Sequence, residues 1–220
     1  MTDLPIIFNA PMARAIIAGT KTQTRRALKP QPPERVSCFE PHPAFPNELI
    51  PWRDGEPLHS HVVPYAPGDR LWVREGYALH RIHDPVPPRR VMPSLLRGVW
   101  YLADPLPKFQ IGKGRPSIHM PRWASRLTLA VTDVRVERLN DIREEDALAE
   151  GCPAEDTGAI PGEVQLMVRV GAGRYVSPRL WFHRLWDELH GPGAWDANPW
   201  VVAITFDVHH CNIDAMEKAA

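Results

Sequence analysis

Residues 127–151, "LTLAVTDVRVERLNDIREEDALAEG", carry the pattern that decides the fold. Leu127, Leu129 and Val131 alternate with Thr128, Ala130 and Thr132, and Val134 and Val136 resume the alternation beyond Thr132 and Asp133. This is a long strand with a bulge or bend at the irregularity. A short helix follows, with Asp141 as its N-cap, Glu144 three residues on as in a capping box, and Gly151 as its terminator.

Working outward, "NPWVVAITFDVHH" at residues 198–210 alternates Trp200, Val202, Ile204, Phe206 and Val208 against smaller or polar residues and reads as a closing strand. Before it, "SPRLWFHRLWDELHG" reads as an amphipathic helix capped by Ser177, opened by Pro178 and closed by Gly191, with Trp181, Leu185 and Leu189 facing the core. "PGDRLWVREGYA" is a turn followed by a strand, "GVWYLAD" a further strand, and "LPIIFN" a first strand leading to a helix from Pro11 to about Ala18 that Gly19 stops. The segment "TKTQTRRAL" leaves that helix extended. "QLMVRVGAGRYV" fits a hairpin or an ordered loop.

Strands separated by short helices, with no repeated βαβ unit, predict an α+β fold or small mixed barrel rather than a doubly wound sheet. The chain has 220 residues, enough for a single domain with insertions, placed here at residues 1–212 with a frayed tail at 213–220. Of the 25 prolines, nine fall between Pro30 and Pro64 and another group between Pro85 and Pro121. Because proline fixes φ and withholds an N–H, residues 30–65 and 78–117 read as long ordered loops inserted into the scaffold.

Lys plus Arg and Asp plus Glu both number 26, so no global field draws the protein to nucleic acid or membrane. No apolar run approaches a membrane span, and "MTDLPIIFNAP" lacks the features of a secretory signal, so a soluble cytoplasmic protein without a membrane partner is expected. Cys38, Cys152 and Cys211 have no CxxC spacing and read as buried or incidental thiols, with no disulfide framework and no zinc site. His209, His210 and Cys211 adjoin on a strand and point to opposite faces, while His183 and His190 stand two helical turns apart. Neither set suits a shared metal.

The charge is segregated even though it sums to zero. From Leu4 to Pro33 the charged residues are Arg14, Lys21, Arg25, Arg26 and Lys29, and from Pro105 to Thr132 they are Lys108, Lys113, Arg115, Arg122 and Arg126, with no acid in either segment. Converging, they would attract phosphate, with Trp123 available to stack on a base. As independent solvated loop charges they would do nothing of the kind.

"GTKTQTRR", then "PGDRLWVRE", then the long strand and acidic helix, then a tryptophan-rich helix and "WVVAITFDV", resemble in that order the ASCH family, including the longer ASCH proteins of phages and prophages. Residues 30–65 and 78–117 lie outside that resemblance. It implies a PUA-like β-barrel and, by likeness to small bacterial members, an amidohydrolase that removes the acetyl group from N4-acetylcytidine without a metal or cofactor. Carried onto this chain, the family's Lys-x-x-Thr-x-Arg motif matches Lys21 and Thr24, and its glutamate matches Glu150, although Glu144 and Glu145 share the same short helix. These three are the candidate catalytic residues. Arg25, Arg26, Glu75, Arg122 and Trp123 form the candidate substrate-binding set. The expected partner is a small nucleoside, with RNA held by a PUA-like binding module or cleaved by a ribonuclease, or a phage accessory role, as the alternatives.

Overall fold

The structure, a computed structural model, describes residues 1–45, 47–92, 98–153, 168–170 and 174–216. Along the chain the elements are β1 (Asp3–Ile7), α1 (Ala10–Ile17), β2 (Gln23–Ala27), β3 (Val36–Pro41), β4 (Glu48–Arg53), β5 (Glu56–Pro57), β6 (His61–Val62), β7 (Arg70–Arg74), β8 (Tyr77–His80), β9 (Val99–Tyr101), β10 (Ile111–Arg115), β11 (Thr128–Arg138), α2 (Glu144–Ala149), β12 (Val168–Val170), β13 (Arg174–Val176), α3 (Pro178–His190) and β14 (Trp200–His209). Strands outnumber helices, and the protein is α+β as its sequence predicts. No described helix is long and apolar enough to cross a membrane.

Two compact units divide the chain. The first comprises Met1–Gly19, Gly68–Ala130 and Asp207–Ala220, the second Thr20–Pro67 and Val131–Phe206. In the first, β1 pairs in parallel with β7 from Asp3↔Arg70 to Ile7↔Arg74, and the start of β11 pairs antiparallel with β7. Parallel neighbours need a crossover, and α1 begins it, capped by the Asn9 side chain accepting from the Met12 N–H and ended by Gly19 at φ 73°. Ala13 and Ile16 bury its apolar face.

The same unit holds a three-stranded sheet in the order β10-β8-β9. Its apolar cluster is Tyr77, Leu79, Val91, Met120 and Ala124, with Trp123 packed against it. Within residues 78–117, read as inserted loop, β8 and β10 are therefore sheet, and β9 falls in "GVWYLAD", which reads as a strand. The same correction applies to residues 30–65 in the second unit, where β3 and β4 form an antiparallel hairpin extended by β5 and β6. Proline withholds a donor and keeps its acceptor. Pro51, inside β4, receives the Leu58 N–H on its carbonyl at 2.8 Å, and Pro41 ends β3.

The second unit is anchored on β14, which pairs antiparallel with β2 from Val201↔Ala27 to Thr205↔Gln23. Val201 and Ala203 are as buried as Val202 and Ile204, so this strand is covered on both faces rather than on the single face its alternation suggests. Gln31 ties the proline-rich segment to it, donating to the Leu28 and Trp200 carbonyls and accepting from the Trp200 N–H. β12 and β13 form a two-stranded antiparallel hairpin, settling the reading left open for "QLMVRVGAGRYV" within its described residues.

Several local expectations shift by a residue or a turn. β11 continues through Thr132 and Asp133, both exposed, as one strand. Asp141 ends a 3-10 turn instead of capping α2; the cap is Arg143, whose backbone N–H donates to Asp146, so the acidic partner stands two residues beyond Glu144. On α3, Ser177 caps and Gly191 closes as expected, but Phe182 and Trp186 are the buried pair and Leu189 is 46% exposed. Trp181 and Leu185, expected to face the core, do pack half-buried against the cluster of Leu139, Ile142, Ala147, Phe182, Trp186, Trp195 and Val201, so the apolar face is wider than expected and only Leu189 lies outside it. Ile213, in the segment read as frayed, is fully buried in a turn, Ile213–Ala215. Residues 217–220 lie outside the described residues.

Truncation should expose the difference in burial between Phe182 and Leu189. Phe182→Ala is expected to destabilise the fold by about 3–5 kcal/mol, whereas Leu189→Ala should stay within about 1 kcal/mol, as read by urea denaturation of each variant.

Candidate active site

Ahead of β2 the chain is pinned from two sides. Lys21 forms an antiparallel bridge with Glu150, the Thr22 N–H donates to the Ala149 carbonyl at 2.8 Å, and the Phe206 N–H donates to the Thr22 carbonyl at 3.0 Å. Glu150 is the C-cap of α2, followed by Gly151 at φ 93°. A helix ending there delivers its last backbone carbonyls and the Glu150 side chain to the approaching strand.

Lys21 has no exposed surface and Glu150 is 3% exposed. The Lys21 ammonium donates to Glu150 Oε2 at 2.6 Å and to the Glu150 backbone carbonyl at 2.8 Å. Arg25 approaches the other carboxylate oxygen, Oε1, at 3.4 Å. Its guanidinium also donates to Glu137 at 2.7 and 2.9 Å and to Gln23 at 2.5 Å, and it stands 3.4 Å from Asp146. Gln23 in turn donates to the Thr205 hydroxyl at 3.1 Å. Strand alternation puts Gln23 and Arg25 on one face of β2, and Thr24 and Arg26 on the other. Thr24 is buried opposite Ile204.

Electrostatics pull on Lys21 in opposite directions. Burial lowers its pKa from the ordinary 10.5, Glu150 works to raise it, and Arg26 and Arg25 lower it further; the net result is downward. Burial likewise lowers Arg26, with Tyr65 and Glu150 counteracting. At Asp146 burial works to raise the carboxyl, but Arg25, Arg135 and the Arg143 backbone N–H more than offset it, and the carboxyl lies below the ordinary 3.8.

Of the residues chosen from sequence, the structure joins Lys21, Glu150 and Arg25 by direct contact, with Arg26 close enough to act on Lys21. Glu144 accepts the Arg179 N–H and Glu145 is exposed, so Glu150 is the helix glutamate that meets Lys21. Arg25 is engaged by Glu137, Asp146 and Glu150, which makes it a brace for the cluster. Glu75, Arg122 and Trp123 belong to the first unit, each with its own partners. Glu75 holds Arg126 in a bidentate pair at 2.9 and 3.0 Å, and Arg126 also grips Asp104 and lies 3.9 Å over the Tyr101 ring. Arg122 bridges Asp3 and Asp214, and Trp123 packs against the cluster around Tyr77. Cys152 is buried, which together with Glu144 pushes its thiol up to about 12, while Cys38 is exposed.

Sequence reading missed Glu137, Asp146, Gln23 and Thr205. The period-two spacing of Lys21, Gln23 and Arg25 was a usable signal for one of them. Glu137, at the far end of β11, had none. Among the described residues no group of three or more His, Cys, Asp and Glu is placed to hold a metal ion. A scan against protein-family models finds no match for the chain, and searches of curated proteins and of solved structures find none either.

The cluster can be probed by stability. Lys21→Met alone strands the buried Glu150 carboxylate and should cost about 3–5 kcal/mol, whereas Lys21→Met with Glu150→Leu should recover most of that loss. The pH sign follows from linkage. The unfolded chain keeps the Lys21 proton up to 10.5 and the folded chain releases it earlier, so Lys21 makes stability rise as pH climbs through the interval just below that value. Denaturant unfolding across that range should show a flatter alkaline slope in the double variant.

Proposed function

We propose that the protein is an amidohydrolase acting on N4-acylated cytosine nucleosides, on an ASCH-type, PUA-like α+β scaffold. The observation that carries the reading is the fully buried Lys21 held at 2.6 Å by Glu150, with its pKa below the ordinary lysine value. Burial of this kind weakens the hold of the lysine on its proton and favours its action as a base, which exposure to water would not do.

In this scheme the Thr24 side chain turns from its place opposite Ile204, on the face of β2 away from Gln23 and Arg25, toward Lys21, and the neutral Lys21 amine takes the proton of its hydroxyl as Thr24 Oγ1 bonds to the acyl carbon. The carbon–nitrogen bond then breaks, and the departing N4 nitrogen receives a proton from the Lys21–Glu150 pair. Water adds to the acyl-threonine and releases the carboxylic acid, returning Thr24 to its hydroxyl form. Arg25 braces Glu150 through Oε1 and leaves Oε2 directed at Lys21. Burial supports the step, because charges formed in a dry site are stabilised by fixed partners rather than by water.

The RNA-binding reading draws less support. Arg122 and Arg126, the basic residues closest to Trp123 in sequence, are bound by Asp3, Asp214, Glu75 and Asp104, so their charge is neutralised locally.

Purified protein is expected to release cytidine from N4-acetylcytidine with little dependence on salt. Lys21→Ala and Thr24→Ala, each confirmed folded by circular dichroism, should lower kcat by at least about a hundredfold. A folded wild-type protein inert toward acetyl and bulkier acyl substrates alike would overturn the reading.

A further inference from the structure

The first unit contains a cavity of about 570 Å³ whose lining includes Arg74, Pro87, Arg89, Ile118, His119 and Met120, with no carboxylate among the described residues of its wall. Arg74 ends β7. One of its terminal nitrogens donates to the Ile118 carbonyl, its guanidinium lies 5.4 Å over the Trp72 ring, and its buried Nε has no hydrogen-bond partner among the described residues. None of these contacts brings a negative charge. Arg89 is exposed.

A second unneutralised guanidinium stands behind this wall. Arg115, 6% exposed, donates to the His83 and Val86 carbonyls at 2.7 and 3.3 Å, and its buried Nε has no partner among the described residues. It faces Tyr77 across the β10–β8 ladder, and the Tyr77 hydroxyl donates to the His119 carbonyl at 2.9 Å. Burial raises the Tyr77 pKa while Arg115 and Arg74 both lower it, so the fields of the two arginines meet at that phenol. Buried or half-buried guanidiniums are ordinarily paired with acids, as Arg25, Arg70 and Arg126 are here. Those around this cavity are not.

We propose that this cavity binds the phosphate of a nucleoside monophosphate-sized ligand. Arginine forks suit the geometry of a phosphate dianion, and a bound phosphate would supply the charge that Arg74 lacks, with Arg89 beside it on the wall and Arg115 outside the lining adding its field. The volume exceeds that of phosphate alone and lies within the range of small-molecule sites, and Ile118, Met120 and the prolines offer an apolar wall to the remainder of the ligand. An extended polynucleotide fits less well, since the basic residues that would continue the track, Arg122 and Arg126, already hold acids.

The test is a titration of the full chain, followed by two-dimensional NMR of backbone amides and arginine Nε–H groups, with CMP, inorganic phosphate, cytidine and a short single-stranded RNA lacking a terminal phosphate. CMP should shift the Arg74 Nε and His119 signals saturably, inorganic phosphate should compete with it, and cytidine should leave those signals unmoved. Arg89→Gln, at an exposed position, should weaken CMP at least roughly tenfold, as should Arg74→Gln. The proposal is overturned if a folded wild-type chain shows no saturable shift with CMP, if cytidine binds equally well, if Arg89→Gln leaves the CMP affinity unchanged, or if the RNA binds these residues more tightly than CMP. Cytidine release from N4-acetylcytidine is a separate readout, and its presence or absence decides nothing about this cavity.

Discussion

A lysine ammonium with no exposed surface, 2.6 Å from a carboxylate that is itself nearly buried, sets the terms for the second unit. Removing two charges from water is expensive, and their mutual attraction repays it only when the remaining donors and acceptors are also satisfied. Here they are satisfied in detail. The Glu150 backbone carbonyl takes a second Lys21 proton, Arg25 takes the other carboxylate oxygen, and Glu137 and Asp146 hold Arg25. Each group in the chain of contacts is fixed by the next, so Lys21 and Glu150 cannot relax toward solvent without dismantling the cluster.

That arrangement draws on several elements far apart in sequence. The bridge just ahead of β2 brings Lys21, and β2 itself Gln23 and Arg25; the end of α2 brings Glu150 and its first turn Asp146; β11 brings Glu137; and β14 brings Thr205 and the ladder that holds β2 in register. Below the cluster, Phe182 of α3 lies 6.0 Å from the Arg25 guanidinium and packs with Trp186 and Trp195. A polar network over an aromatic floor is rigid in a way that either layer alone is not, because the low-dielectric surroundings strengthen every hydrogen bond above them.

Legibility in the sequence followed the range of the interactions. β7, β11 and β14 were readable because period-two alternation and flanking turns are local, and the ends of α1 and α3 because Pro11, Gly19, Ser177 and Gly191 act within a turn, whereas the Asn9 cap of α1 was not read. Proline misled, because its missing donor suggested loops where its carbonyl still completes a small sheet at Pro51. The buried face of α3 was read too narrowly: Trp181 and Leu185 pack on the core as their spacing suggests, but the most buried residues are their neighbours Phe182 and Trp186, and Leu189 lies outside the contact. Lys21 and Glu150 lie 129 positions apart, and nothing in their spacing announces the pair. They were singled out through family resemblance, and Glu137, which no motif marks, was not singled out at all.

The central claim is that Lys21 is a base kept ready by burial against a carboxylate. Selective ¹⁵N labelling of lysine and NMR titration of the Lys21 Nζ resonance tests it most directly. The account predicts a midpoint below the ordinary 10.5, lowered further in Glu150→Gln, where the charge that holds the proton is gone. A Lys21 that titrates at or above 10.5 together with the exposed lysines, and does not respond to Glu150→Gln, would contradict it.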